Sequence, residues 1–285
     1  MQGIIALDID GTVTAETHAL DPAVREALDD LHHAGWKFIF ITGRPFHWGY
    51  ETLQSLAFPY ALAVQNGALL LEMPARKILG RKYLKQDLFP QLEAICQDEQ
   101  TDFVVYSGFE HDDWCFYRPG RLSSPILSYV MKRTEALGEK WHPLESFSQL
   151  PVASFSSIKF FAQKEQASRL SHWLEHNLRL HAPPNRDPYN PEFYVVQATH
   201  SEATKGDALQ QFIQLTSASG PIIAAGDDYN DRSMLQLADV KIVMANAPAE
   251  LLKLADVIAP PADQNGIIQG LSEGVHLLAE GKMNG

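Results

Sequence analysis

The sequence predicts an α/β protein, a doubly wound parallel sheet with an inserted α+β domain. Two observations predict it. Apolar runs alternate with amphipathic stretches at both ends of the chain, and between about Lys82 and Tyr194 that rhythm gives way to short strands and helices of a different texture.

Ile4, Ile5, Ala6, Leu7 and Ile9 form a nearly continuous apolar run, as expected of a parallel strand covered on both faces, and the run ends at Asp8 to Asp10. Asp21 supplies an N-cap and Pro22 a first helical turn; Val24, Leu28 and Leu31 recur at helical spacing, and Gly35 stops the helix. Residues 38–41 make a second buried strand, broken at Thr42-Gly43-Arg44-Pro45, where another helix can begin. Strand, helix, strand, helix implies right-handed crossovers and a parallel sheet.

The alternation returns after the insertion. A helix opens at Lys205-Gly206 with Leu209, Phe212 and Ile213 along it, and a strand over 221–225 ends at Gly226-Asp227. A short helix through Met234, Leu235 and Leu237, a strand over 240–244 and a helix over 251–254 follow. The insertion itself offers strands over 103–106, 115–117 and 158–161, and helices over 90–99, 124–137 and 164–177. Its proline-rich exit, 183–191, reads as a loop and hinge. The expected division is therefore a core made of 1–82 and 195–285, with the inserted domain at 83–194.

At 285 residues and 45% hydrophobic content, the chain can bury the cores of two domains. A net charge of -12, with no run of five Lys or Arg, repels polyanions and argues against nucleic acid or an anionic membrane as partner. A small anionic substrate stays possible, because a divalent ion and a few local cations reverse the sign inside one cleft. Cys96 and Cys115 stand outside any Cys-x-x-Cys pair and read as reduced structural thiols. The sequence reaches Asp8 too early to hold a charged leader and a long apolar region, and no apolar stretch approaches the ~20 residues that span a bilayer. A cytoplasmic protein, monomer or homodimer, is the expectation.

Asp8-Ile9-Asp10-Gly11-Thr12 places two carboxylates at the C-terminal end of a buried strand, where doubly wound sheets build their sites. One acid can offer its side chain and the other also its backbone carbonyl, hard oxygen donors that suit Mg2+. Taken alone, the motif fits a capped turn equally well. Gly226-Asp227-Asp228-Tyr229-Asn230-Asp231 repeats the pattern after another apolar strand, and strand ends of one parallel sheet converge, so Asp227 can join Asp8 and Asp10 around Mg2+. Thr42 and Gly43 put a hydroxyl and backbone N–H groups at a helix start, suited to phosphoryl oxygens. Lys205 sets a cation against the helix dipole, and countering a carboxylate and a phosphoryl group is a reason for it to be there.

In order and spacing, these four elements resemble the haloacid dehalogenase-like phosphatase superfamily. Val64-Gln65-Asn66-Gly67-Ala68, Met244-Ala245-Asn246-Ala247 and Asn265-Gly266-Ile267 resemble its Cof-type branch, which carries an α+β cap. The resemblance implies Asp8 as nucleophile, Asp10 as general acid and base, Thr42 as a donor to the phosphoryl group, and Lys205 as the cation that holds Asp8. It further implies a metal site of Asp8, Asp10 and Asp227, Asp231 in support behind it, and a phosphate or substrate contact from Asn230. The implied reaction is Mg2+-dependent hydrolysis of a small phosphorylated metabolite through an aspartyl-phosphate, with a sugar phosphate first and pyridoxal phosphate or flavin mononucleotide as alternatives. A sugar phosphomutase and a non-catalytic metal or phosphoprotein-binding module are the competing classes. His111, Asp112, Asp113, Trp114 and Arg118 could face the cleft but read better as a polar hairpin tip, and His32-His33 read as helix surface.

Overall fold

The computed structural model describes residues 3–15, 19–187, 190, 192–216 and 220–281. The chain forms two compact units, one from Met1–Arg81 with Thr204–Gly285, the other from Lys82–Ala203.

The first unit holds β1 (Ile4–Leu7), α1 (Pro22–His33), β2 (Lys37–Ile41), α2 (Phe46–Leu53), β3 (Tyr60–Val64), β4 (Leu69–Met73) and β5 (Lys77–Arg81). The second holds β6 (Leu84–Lys85), α3 (Phe89–Asp98), β7 (Val104–Tyr106), β8 (Cys115–Tyr117), α4 (Ser124–Leu137) and β9 (Trp141–Pro143), then β10 (Ser154–Phe155), β11 (Ser157–Ala162), α5 (Lys164–Asn177), β12 (Pro184–Arg186) and β13 (Tyr194–Ala198). The chain then returns to the first unit with α6 (Lys205–Thr216), β14 (Ile222–Gly226), α7 (Arg232–Leu235), β15 (Val240–Met244), α8 (Ala249–Leu252), β16 (Val257–Ala259) and α9 (Gly266–Gly281).

In the first unit the strand order is β16-β15-β14-β1-β2-β3-β4-β5. Strands β16 through β3 are parallel, and β1 lies between its partners with Ile4 opposite both Ile222 and Lys37. The sheet is mixed rather than wholly parallel, because β4 and β5 return antiparallel. The connection from β3 to β4 is too short for the crossover that a parallel neighbour needs. Ile4, Ala6, Ile39 and Ile41 pack with Leu209 and Phe212 of α6 and Met234 and Leu235 of α7. Each such large side chain, fully buried, contributes about 1.5–3 kcal/mol. His32, expected at the surface, is half-buried and stacks on Phe58 with centroids 4.6 Å apart.

The second unit is built on a six-stranded sheet, β12-β13-β11-β7-β8-β9, antiparallel except for the β8–β9 pair. Alternation along β7 sends Val105 into the cluster with Leu92 of α3 and Leu170 of α5, and Val104 and Tyr106 into the cluster with Tyr129 and Val130 of α4. The boundary expected at 194 falls at Ala203, because β13 pairs with β11. Within the expected exit loop, residues 184–186 are instead an edge strand, where proline is tolerated, while 188, 189 and 191 lie outside the described residues. Arg118 is not part of a polar tip: it is buried, pairs with Asp102 and Glu93, and lies 4.2 Å over the Phe147 ring. His111 and Asp112 are exposed.

Beneath α4, Arg133 bonds both Glu139 and Asp187. Lys159 is buried beside them, 4.3 Å over the Tyr106 ring; burial, then the Arg133 charge, push its ammonium down to about 8. Among the described residues no helix is long and apolar enough to cross a membrane.

Candidate active site

Asp8 is the first residue past β1. Its N–H still bonds Ala225 O of β14 at 3.1 Å, so the nucleophile candidate is fixed by the sheet itself. The chain then turns at once: the Thr12, Val13 and Thr14 N–H groups fold back on Ile9 O at 3.1–3.4 Å. Gly11 makes the turn possible. Its φ is 74°, and a Cβ there would stand 2.4 Å from Asp227 Oδ2.

Lys205 opens α6 because Thr204 and Asp207 cap it reciprocally: Thr204 Oγ1 accepts from Asp207 N–H at 3.1 Å, and Asp207 Oδ2 accepts from Thr204 N–H at 3.3 Å. The buried ammonium donates to Asp8 Oδ1 and, at 2.6 Å, to Asp231 Oδ1. Asp231 Oδ2 accepts from the Asp227 and Asp228 N–H groups at 2.9 and 3.0 Å, closing the turn after β14. Thr12 Oγ1 donates to Asp227 Oδ1 at 3.3 Å.

Asp8, Asp227 and Asp231 each place an oxygen within 4.8 Å of the others, and among the described residues the Lys205 ammonium pairs with Asp8 and Asp231. The consequence is electrostatic. Burial, then the Asp231 charge, push the Asp8 carboxyl up to about 7 despite Lys205; burial and the charges of Asp8 and Asp231 hold Asp227 well above the usual carboxylate range. Burial alone would lower Lys205, but Asp231 and Asp8 outweigh it and raise the ammonium above its ordinary value. Three carboxylates and one ammonium leave an excess negative charge, and hard oxygen donors carry it. That donor set fits a small divalent cation such as Mg2+. Asp8 and Asp227 are the side chains that would hold it, because both oxygens of Asp231 are already taken up by Lys205 and the two N–H groups.

Asp10 is engaged elsewhere. Its carboxylate accepts from Arg44 Nε at 2.7 Å and from Arg44 Nη2, a bidentate pair on a half-exposed acid. Arg44 is buried, and its Nη1 donates to Thr52 Oγ1 of α2 at 2.7 Å. The main-chain carbonyl is therefore what Asp10 would offer a cation. Thr42 is buried with its Oγ1 accepting from Arg44 N–H at 3.1 Å; Gly43 lies between them, and Asn230 Nδ2 donates to Asn66 Oδ1 at 3.2 Å.

Of the residues singled out from the sequence, Asp8, Lys205, Asp227 and Asp231 come together in one hydrogen-bonded cluster, while Asp10 is tied to Arg44 and Asn230 to Asn66. Arg44 and Asn66 were not given roles by sequence reasoning, although both stand inside segments it noted. The Thr-x-x-Asp cap at 204–207 was a readable signal as well.

A family model described as haloacid dehalogenase-like hydrolase matches residues 5–271. The pyridoxal phosphate phosphatase YbhA of Escherichia coli (strain K12) is 25% identical over 279 residues, 93% of this chain and 96% of that protein. The HMP-PP phosphatase of Cronobacter sakazakii is 28% identical over 251 residues, 87% of this chain and 85% of that protein. A solved structure of the subclass IIB sugar phosphatase BT4131 superposes with a TM-score of 0.73 at 20% identity, covering 95% of this chain and 98% of that one, a likeness of fold.

Proposed function

Because the chain belongs to the haloacid dehalogenase-like hydrolase family and is a phosphatase, we propose that it hydrolyses a small phosphorylated metabolite through a phosphorylated Asp8. The observation that carries this reading is the cluster itself: a buried carboxylate at a strand end, held by Lys205, with Asp227 beside it.

In the first step an Asp8 carboxylate oxygen attacks phosphorus in line, the ester P–O bond breaks, and the leaving alkoxide takes a proton from Asp10. In the second, Asp10 accepts a proton from water as the water oxygen attacks phosphorus, the P–O bond to Asp8 breaks, and inorganic phosphate leaves. Lys205 keeps Asp8 oriented and offsets charge on the phosphoryl group; Thr42, Gly43 and Asn230 bind its oxygens. Asp8, Asp227 and the Asp10 carbonyl would hold Mg2+, which would supply charge neutralisation at the phosphoryl oxygens. Arg44 holds the Asp10 carboxylate in place to take the second proton, and one of its two N–H bonds to Asp10 must open for Asp10 to carry the first.

For the substrate we take a sugar phosphate, the class in the name of BT4131, with pyridoxal phosphate second because YbhA is named for it. Release of phosphate from p-nitrophenyl phosphate should require Mg2+, and an Asp8→Asn protein with undiminished turnover would sink the mechanism. A panel of sugar phosphates, pyridoxal phosphate and flavin mononucleotide, ranked by kcat/KM, then selects the substrate. Phosphorus NMR separates hydrolysis from a mutase, which interconverts sugar phosphates with little free phosphate.

A further inference from the structure

The turn between β3 and β4 has no role in the reaction as written above. Gln65, Asn66 and Gly67 take positive φ in succession, 51°, 57° and 106°, and all three are buried. A tight hairpin accounts for positive φ at an Asn-Gly pair, but hairpin tips ordinarily face water. This one faces the site's own elements. Gln65 N–H donates to Arg44 O and Asn66 N–H to Thr42 O, each at 2.9 Å. A Cβ on Gly67 would stand 2.8 Å from Thr204 O, the carbonyl just before Lys205.

Asn66 joins these to the fourth element. Its Oδ1 accepts from Asn230 Nδ2 at 3.2 Å, while its own Nδ2 has no hydrogen-bond partner among the described residues although the side chain is fully buried. Strained backbone and an unsatisfied buried amide both work against stability. They persist where surroundings over-determine them, and they cluster at functional sites.

We propose that Asn66 is a positioning residue: its side chain fixes the Asn230 amide while its main chain holds Thr42, so the two phosphoryl-binding groups share one anchor. The proposal rests on the phosphatase reading given above. Glycine tests it, because glycine satisfies a left-handed turn better than asparagine and removes only the side chain. Asn66→Gly should unfold at or above the wild-type temperature, yet lose about tenfold or more in kcat on p-nitrophenyl phosphate with saturating Mg2+. Combined with Asn230→Ala, it should be no slower than Asn230→Ala alone, since a shared interaction is lost only once. Full kcat in Asn66→Gly overturns the proposal, as do losses that multiply in the double variant, or an Asn66→Gly chain unfolded at the assay temperature. Wild-type protein without turnover would instead overturn the phosphatase reading itself, before any variant is made.

Discussion

Arg44 grips both carboxylate oxygens of Asp10 with its Nε and Nη2 N–H groups, and is itself anchored through Nη1 to Thr52. In the proposed reaction Asp10 gives a proton and takes one back, and the guanidinium both fixes its position and favours its carboxylate form. The planar fork supplies that position, and a lysine would not. Arg44→Lys should therefore lower kcat on p-nitrophenyl phosphate by about 10- to 100-fold, with Thr52→Val losing only a few-fold. Steady-state kinetics checks both, and wild-type kcat in Arg44→Lys would remove the positioning role.

Among the described residues, Lys205 is the ammonium paired with Asp8 and Asp231. Its removal leaves buried carboxylates uncompensated, which costs about 3–5 kcal/mol when a buried pair loses one member. Lys205→Met should show this loss in urea unfolding without metal, and Mg2+ should restore part of it. A variant as stable as wild type would mean that the carboxylates are already neutral.

Asp227 is held above the ordinary carboxylate range, so in the proposed metal site protons compete with the cation for it. Asp8, the other side chain of the proposed site, is pushed up to about 7, so the Mg2+ concentration for half-maximal activity should fall as pH rises from 6 to 8. Asp227→Asn should raise it by about tenfold or more and flatten the pH dependence. A half-saturating concentration that does not move with pH would contradict this.

Lys159 titrates near 8 in the folded protein against 10.5 ordinarily. Between those values the unfolded chain binds more protons, so stability rises with pH, and the full cost of the buried charge is present below about 8. Wild type should gain on Lys159→Met by up to roughly 3 kcal/mol as pH climbs from 8 to 10.5, at about 1.4 kcal/mol per unit. Paired denaturant melts across that range measure the difference, and parallel curves would refute it.

Much of the core was legible because periodicity reports burial. The all-apolar run at 4–7 and the alternation after Lys205 both became strands and helices of the main sheet. Strand β16, only three residues long, and helix α9, whose Gly266, Gly270 and Gly274 depress helix propensity, gave no comparable signal. At the site, residue types at strand ends singled out Asp8 and Asp227, and a cation at a helix start singled out Lys205. The bond from Arg44 to Asp10 was not readable, because it joins side chains 34 positions apart in a geometry that only the folded α2 provides. The end of the second unit was misplaced because β13 reads equally well as a core strand until its partner β11 is known.

The pairing of Ile4 with Ile222 also bears on how the chain folds. β1 leaves the ribosome before the second unit, and its β14 neighbour emerges only after the whole of that unit. Until then one side of the future central strand is an open edge, a place where nascent chains aggregate or meet chaperones. Lys82 and Glu202 form an ion pair near the two ends of that unit. If the unit folds first, it brings those ends together and replaces a long disordered loop with a short one, lowering the entropy that β1 and β14 must overcome to meet.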